Sequence, residues 1–402
     1  MKILWVKTDF LHPTTRGGQI RTLEMLRELH KRHEIHYVAF DDPSNPEGLR
    51  RSPEYSARAY PVPHRLVPKR SPQFAAQLIT GLFSKFPVSG LRYQSRAMRD
   101  SLAKLVSEID FDVKVCDFLA PSINIDDMDG WVLFEHNVET LIWERHAQTA
   151  RTLVHKKFFG LQARRMLEWE RTVARSAAHV VAVSDKDEQI MRERFGIHHV
   201  SSIPTGVDLD YFERPASATR AYDLVFVGSM DWMPNLDGTR WFLSEVLPLI
   251  REKRPDCRVA IAGKNPPPSL IAEQKDPLIS ITGTVPDIRP YLWGSAVSIV
   301  PLHVGGGTRL KIFEAMAAET PVVSTTIGCE GLPVEHGNTI RIADTPGAFA
   351  AECLTLLFDS EERARLAANG LELVRANFSW ERVTRLFEQT LRSVKAPAAQ
   401  SA

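Results

Sequence analysis

Twice along this chain, short apolar runs rich in β-branched residues alternate with amphipathic helical stretches, and the alternation restarts after an interruption near residue 205. Such runs suit strands buried on both faces, and strands alternating with helices predict α/β architecture with parallel sheets wrapped by helices. In the first half the expected strands cover 2–7, 35–40, 113–116, 131–135 and 179–184; in the second they cover 223–227, 258–262, 279–282, 297–301 and 321–324. The restart predicts two Rossmann-like domains, and 402 residues suit two cores of roughly 200 residues better than one. The stretch IPTGVDLDYFERPASATRAYD, 203–223, carries the Pro, Gly and small polar residues of an interdomain linker. The expected division is 1–205, 206–377 and 378–402, the last segment holding one amphipathic helix and, from residue 395, a Pro/Ala-rich tail of disordered character.

Composition removes several classes. A formal net charge of +1 gives no global reason to expect nucleic acid as a partner. The opening MKILWVKTDF holds only four consecutive apolar residues, far short of a signal-peptide core or a membrane span, and reads as a first buried strand. Cys116, Cys257, Cys329 and Cys353 are scattered, with no C-x-x-C pair and no His cluster at ligand spacing. Neither disulfides nor a metal site is expected, and a reducing cytoplasmic setting fits.

Three places can carry chemistry. In TTRGGQIRTLEM, Gly17 and Gly18 follow the first strand and precede a helix expected to start near Gln19. Adjacent glycines let backbone approach a ligand, and a helix N-terminus offers free N–H groups to a phosphate; a plain strand-to-helix turn is the alternative. There is no G-x-G-x-x-G, which argues against a dehydrogenase-type dinucleotide site. In PLHVGGGTRLKIFEAMAAETPVVST, Gly305, Gly306 and Gly307 end a strand and Thr308 is placed to cap a helix running to about Ala318. Leu310, Phe313 and Ala317 are the expected core stripe, while Gly307, Lys311 and Glu314 share another face. A cation near the glycines can meet a diphosphate, and a carboxylate one turn on can accept from ribose hydroxyls. The alternative is an exposed Lys311–Glu314 ion pair worth a few tenths of a kcal/mol. In FEHNVET, His136 and Asn137 stand just past a buried strand, where an imidazole can bond a sugar hydroxyl or simply cap the next helix.

Together these segments resemble the retaining glycosyltransferases of family four, which have the GT-B fold: two Rossmann-like domains facing a central cleft. The resemblance spans nearly the whole chain: the Gly17–Gly18 loop, His136 in HNVE, VSDKDE at Val183, IPTGVDLDYF at Ile203, DLVFVGSM with its Gly228, ITGTVPDI, the glycine-helix-glutamate segment and the final FSW helix. It implies an acceptor-binding N-terminal domain, a nucleotide-binding C-terminal domain and a last helix crossing back. Carried over by position, Gly18 touches the donor phosphate, His136 the transferred sugar, Val285 the base through its backbone and Glu314 the ribose; Gly17, Gly228, Gly305, Gly306, Gly307 and Thr308 complete the donor set. No metal or cofactor is implied.

Two departures stand out. The family's paired glutamates, seven residues apart, would place the first on Gly306, and a sub-branch carrying GGGTRLK shows the same replacement. The Arg and Lys that commonly follow the second domain's first strand are absent from GSMDWMPNLDG, 228–238, which makes Arg309 and Lys311 the expected grip on the diphosphate.

From Arg58 to Arg99 there are eight Arg or Lys residues and no Asp or Glu, including Arg65, Lys69, Arg70 and Lys85, interleaved with apolar residues. This mixture suits an anionic membrane face or a lipid-diphosphate acceptor, against the alternative of a solvated basic loop. The run 145–175, which includes Glu168 and Glu170, reads as a charged helix surface. The expected activity is transfer of a sugar from a nucleotide-diphosphate sugar to a glycan or lipid-linked acceptor in polysaccharide assembly. The rivals are an epimerase or hydrolase on the same fold, disfavoured by the missing carboxylate at Gly306, and a catalytically silent nucleotide-sugar-binding subunit.

Overall fold

A computed structural model describes residues 1–14, 17–68, 71–73, 81, 84–150, 152–304 and 309–394. The expected features at Lys69, Arg70, Gly305, Gly306, Gly307, Thr308 and the tail from 395 lie outside the described residues. The chain divides into two units, Met1–Pro204 rejoined by the chain from Val383, and Thr205–Arg382.

The first unit is built on seven strands in the order β3-β2-β1-β4-β5-β6-β7. They are β1 (Lys2–Val6), β2 (Glu34–Asp41), β3 (Arg58–Pro63), β4 (Val113–Asp117), β5 (Trp131–Phe134), β6 (His179–Ala182) and β7 (Val200–Ser202), and every pairing is parallel. Ile3, Leu4, Trp5 and Val6 are fully buried, as expected of a strand covered on both faces. The helix Trp380–Val394 buries Val383, Phe387 and Leu391, a stripe at i, i+4 and i+8, and sets Phe387 against Trp5 and Phe134 at 5.7 and 5.0 Å between ring centroids.

The second unit has six parallel strands in the order β10-β9-β8-β11-β12-β13: β8 (Tyr222–Val227), β9 (Val259–Ala262), β10 (Ile279–Gly283), β11 (Ser295–Val300), β12 (Val322–Ser324) and β13 (Arg341–Ile342). In both sheets the chain starts centrally and reverses direction of growth, between β1 and β4 and between β8 and β11. Loops leaving such a switch point diverge and open a crevice at the strands' carboxyl ends.

Three strands escape the apolar-run criterion. β3, RAYPVP, contains two prolines and lies at a sheet edge, where a missing N–H breaks no ladder; β7 and β13 have three and two residues. The basic stretch 58–99 therefore opens with a strand rather than a loop. The helix after the glycine run spans Leu310–Ala317, and its buried face is Ile312, Phe313, Ala315, Met316 and Ala317; Leu310 is only half-buried. In the run 145–175, Glu170 is not a surface charge: it is fully buried, accepting from the N–H groups of Glu139 and Thr140 at 2.8 and 2.9 Å.

Candidate functional site

At the first unit's switch point, charged groups end apolar strands. Lys7 follows β1, Asp117 closes β4 and His136 stands two residues past β5. They converge: Lys7 Nζ and His136 Nε2 each lie 2.7 Å from Asp117 Oδ1, and Asp117 Oδ2 accepts from Trp5 Nε1 at 2.9 Å and Thr22 Oγ1 at 2.7 Å. Burial opposes ionisation of Asp117, but Lys7 and His136 outweigh it and hold the carboxyl well below its usual range. Burial likewise pushes His136 down to about 4, against the pull of Asp117, so the imidazole is neutral near pH 7.

Gly17 and Gly18 open the helix Gly17–His30, two residues earlier than expected. At Gly18 a Cβ would stand 3.3 Å from Phe118 Cε2 and 3.5 Å from His136 Nδ1, so the glycine keeps the imidazole edge uncovered beside the helix N-terminus. The tertiary fold thus brings Gly18 and His136 together.

In the second unit, Gly228 follows β8 at the corresponding place. A Cβ there would stand 2.7 Å from Asn235 Nδ2 and 2.9 Å from Lys311 Nζ. Lys311 donates to Asn235 Oδ1 at 2.7 Å and sits 4.4 Å over the Phe226 ring; Asn235 Nδ2 is held by the Ser229 carbonyl at 2.8 Å. Lys311 therefore occupies the position after the first strand where the sequence lacks a cation. Glu314, on the same helix face, makes no ion pair with Lys311, and its carboxyl makes no hydrogen bond among the described residues. Both side chains keep some accessible surface but are densely surrounded; burial pushes Lys311 down to about 7 and Glu314 up to about 7.

Arg309 stands elsewhere. It precedes the helix rather than joining its first turn, in a left-handed conformation at φ 50°, and donates to the Ile327 carbonyl at 3.0 Å. The atoms nearest a Cβ at Gly228 include Lys311 Nζ and none of Arg309. Val285 lies in the loop following β10, past Gly283. Among the described residues no group of three or more His, Cys, Asp or Glu stands together in a way that holds a metal ion.

With that geometry in place, the comparisons are specific. Residues 128–211 match the model of Glycosyltransferase Family 4, and residues 221–359 match that of Glycosyl transferases group 1. The chain is a glycosyltransferase. The glycosyltransferase is 24% identical over 397 residues, 95% of its length and 97% of the relative's, to an uncharacterized 44.6 kDa protein in the cps region of Klebsiella pneumoniae. Its fold is of the GT-B type. The enzyme aligns over 99% of its length with all of sucrose-phosphate synthase from Thermosynechococcus elongatus, at TM-score 0.70 and 17% identity. It aligns over 98% of its length with all of Anabaena HepE in a complex with UDP, at TM-score 0.65 and 14% identity.

Sequence reasoning missed Lys7, Thr22, Asp117 and Asn235 in this enzyme. Lys7 and Asp117 were findable, because a charge at the carboxyl end of a largely apolar strand is placed at the ligand-binding end of a parallel sheet. Thr22 and Asn235 carry no such mark; only the packing of their helices brings them to the site.

Proposed function

We propose that this glycosyltransferase moves a sugar, with retention of anomeric configuration, from a nucleotide-diphosphate sugar to a glycan or lipid-linked acceptor in polysaccharide assembly. The observation that carries this reading is the Lys311 ammonium beside Gly228, with the Glu314 carboxyl, which makes no hydrogen bond among the described residues, on the same helix face. A cation against bare backbone at the end of a central strand fits a diphosphate, and an acceptor-rich carboxylate fits ribose hydroxyls. Lys311 stabilises the leaving diphosphate as its charge grows toward the transition state, Glu314 orients the nucleoside, and Arg309 shapes the turn leading into their helix. Val285 meets the base through its backbone. Gly17 and Gly18 receive phosphate and His136 the transferred sugar; the segment Gly305, Gly306, Gly307 and Thr308 adds backbone N–H groups. Anabaena HepE solved with UDP-glucose supports a nucleotide-sugar donor, and the cps-region relative supports a polysaccharide context. No metal enters this reading.

The test is a thermal-shift panel of nucleoside diphosphates followed by donor turnover with and without acceptor. A ligand at 100 times its dissociation constant stabilises by about 2.7 kcal/mol, so a true partner is plain. No shift with any diphosphate rejects the reading.

A specific surface supports membrane attachment of the same enzyme. Leu153 and Val154 are each 78% exposed at the start of the helix Leu153–Ser176, followed by exposed His155, Lys156 and Lys157. From 145 to 167 the sequence has six Arg or Lys residues and no acid. Arg165 donates to the Gly81 carbonyl at 2.7 Å, and the Val88 N–H donates to Gln162 Oε1 at 2.9 Å, so this helix adjoins the basic 58–99 segment with its exposed Arg65 and Lys85. Exposed apolar side chains standing beside exposed lysines fit an anionic bilayer face. No helix among the described residues is long and apolar enough to cross a membrane.

A further inference from the structure

Asp117 acts only as an acceptor in this fold. Its carboxyl is fully buried and takes hydrogen bonds from Lys7 Nζ, Trp5 Nε1 and Thr22 Oγ1 at 2.7, 2.9 and 2.7 Å. Such a carboxylate has no proton to offer, so the 2.7 Å contact with His136 Nε2 requires the proton to sit on that nitrogen. In a neutral imidazole the other nitrogen, Nδ1, is then a bare acceptor.

The ring is held in that orientation. Phe118 stacks on its face at 4.6 Å and 13° between planes, and Phe134 meets it edge-on at 4.9 Å and 67°. Phe118 takes up its position at φ 79°, a left-handed conformation that residues with a side chain rarely adopt. The His136 side chain is only 6% exposed, and its Nδ1 has no hydrogen-bond partner among the described residues. An orphaned buried acceptor is expensive unless something fills it. It faces the bare backbone of Gly18, where a Cβ would come within 3.5 Å.

We infer that Asp117 is a positioning residue that holds His136 in its Nε2–H form, and that the bare Nδ1 selects a hydroxyl of the transferred sugar that can donate a hydrogen bond. The inference rests on the nucleotide-sugar reading above and adds a rule to it. At one position of the sugar the enzyme requires an O–H, and fluorine or an ether oxygen, which only accept, cannot replace it. A site built on such a bond rejects the analogue lacking it by on the order of a hundredfold or more in kcat/KM.

The first measurement needs no substrate. The full chain labelled with ¹⁵N-histidine is expected to show a neutral ring, protonated at Nε2 and bare at Nδ1, whose signals vanish in His136→Gln. A ring protonated at Nδ1 overturns the inference. In Asp117→Asn the carboxamide can turn its N–H toward Nε2, so the ring shifts toward the Nδ1–H form. Turnover of the sugar nucleotide should then fall at least tenfold while the Kd for the nucleoside diphosphate alone stays within about twofold; equal losses in both would mark Asp117 as merely structural. Should that variant fail to fold, the wild-type spectrum decides. With monofluoro donors, one position should show the large loss in wild type and a much smaller one in His136→Ala, and a panel in which no position does so rejects the selection rule. Failure of every nucleoside diphosphate to bind wild type would count against the donor reading, while the ring spectrum would still decide the role of Asp117.

Discussion

Lys311 Nζ donates to Asn235 Oδ1 at 2.7 Å, joining two residues 76 apart in sequence beside the bare backbone of Gly228. The partner is neutral, and Phe226 beneath the ammonium offers only a ring face. Among the described residues no carboxylate contacts the Lys311 ammonium, which suits a site completed by an anion. Burial pushes its proton affinity down to about 7, where an arriving diphosphate can restore it.

Diphosphate binding at pH 8 should take up a proton. With Lys311 titrating at about 7, the ligand-free side chain is mostly neutral at pH 8, and two phosphate charges favour its protonated form. Calorimetry in buffers of different ionisation enthalpy reads the uptake directly. Lys311→Met should abolish it and lower kcat more than donor affinity; undiminished uptake in that variant would assign the proton elsewhere.

Glu314 and Lys311 should make the ligand-free enzyme's stability pass through a shallow minimum near pH 7. For Glu314, whose folded value is raised from 4.5 to about 7, the folded state binds more protons between those values, so stability falls as pH rises through that window. For Lys311, lowered from 10.5 to about 7, the unfolded state binds more protons above 7, so stability rises with pH there. In the double variant Glu314→Gln, Lys311→Met, the dip measured by urea unfolding across pH 5–10 should flatten.

Glu314→Ala should weaken nucleoside diphosphate binding by roughly 1.5 to 3 kcal/mol, the worth of hydrogen bonds to a charged acceptor. Because the carboxyl has no hydrogen-bond partner among the described residues, Tm without ligand should hardly fall. Unchanged affinity in titration calorimetry would remove Glu314 from the ribose.

Gly228→Ala places a methyl 2.7 Å from Asn235 Nδ2 and 2.9 Å from Lys311 Nζ, closer than either contact tolerates. Since both atoms end movable side chains, the fold should survive while turnover drops at least tenfold on the order expected for a displaced charge stabiliser. Wild-type turnover would show that Lys311 can act from another position.

Lys156→Glu together with Lys157→Glu should release the protein from anionic vesicles, each basic residue near the surface contributing about 1 kcal/mol. Leu153→Asp with Val154→Asp should do the same through their 78% exposed side chains. Reversal at Lys69, Arg70 and Lys85 tests the adjoining segment. Flotation of all variants with vesicles as efficiently as wild type would return these residues to an ordinary solvated surface.

The periodicity of the sequence determined the two α/β halves and ten of the thirteen strands among the described residues, because a strand buried on both faces must be largely apolar. The same logic marked His136 just past such a strand, glycines ahead of a helix marked Gly18, Lys311 and Glu314, and the family resemblance added Gly228. What sequence could not determine is which of them meet. The switch between β1 and β4 sets Asp117 against Lys7 and His136 across 110 and 19 residues. Helix packing turns Lys311 to Asn235 and leaves Arg309 with the Ile327 carbonyl. Edge strands β3, β7 and β13 stayed hidden because an edge tolerates proline, polarity and brevity. Local pattern reports how deeply a segment is buried. The partner of a buried charge is chosen by chain topology, because only the folded sheet brings groups remote in sequence within hydrogen-bonding distance.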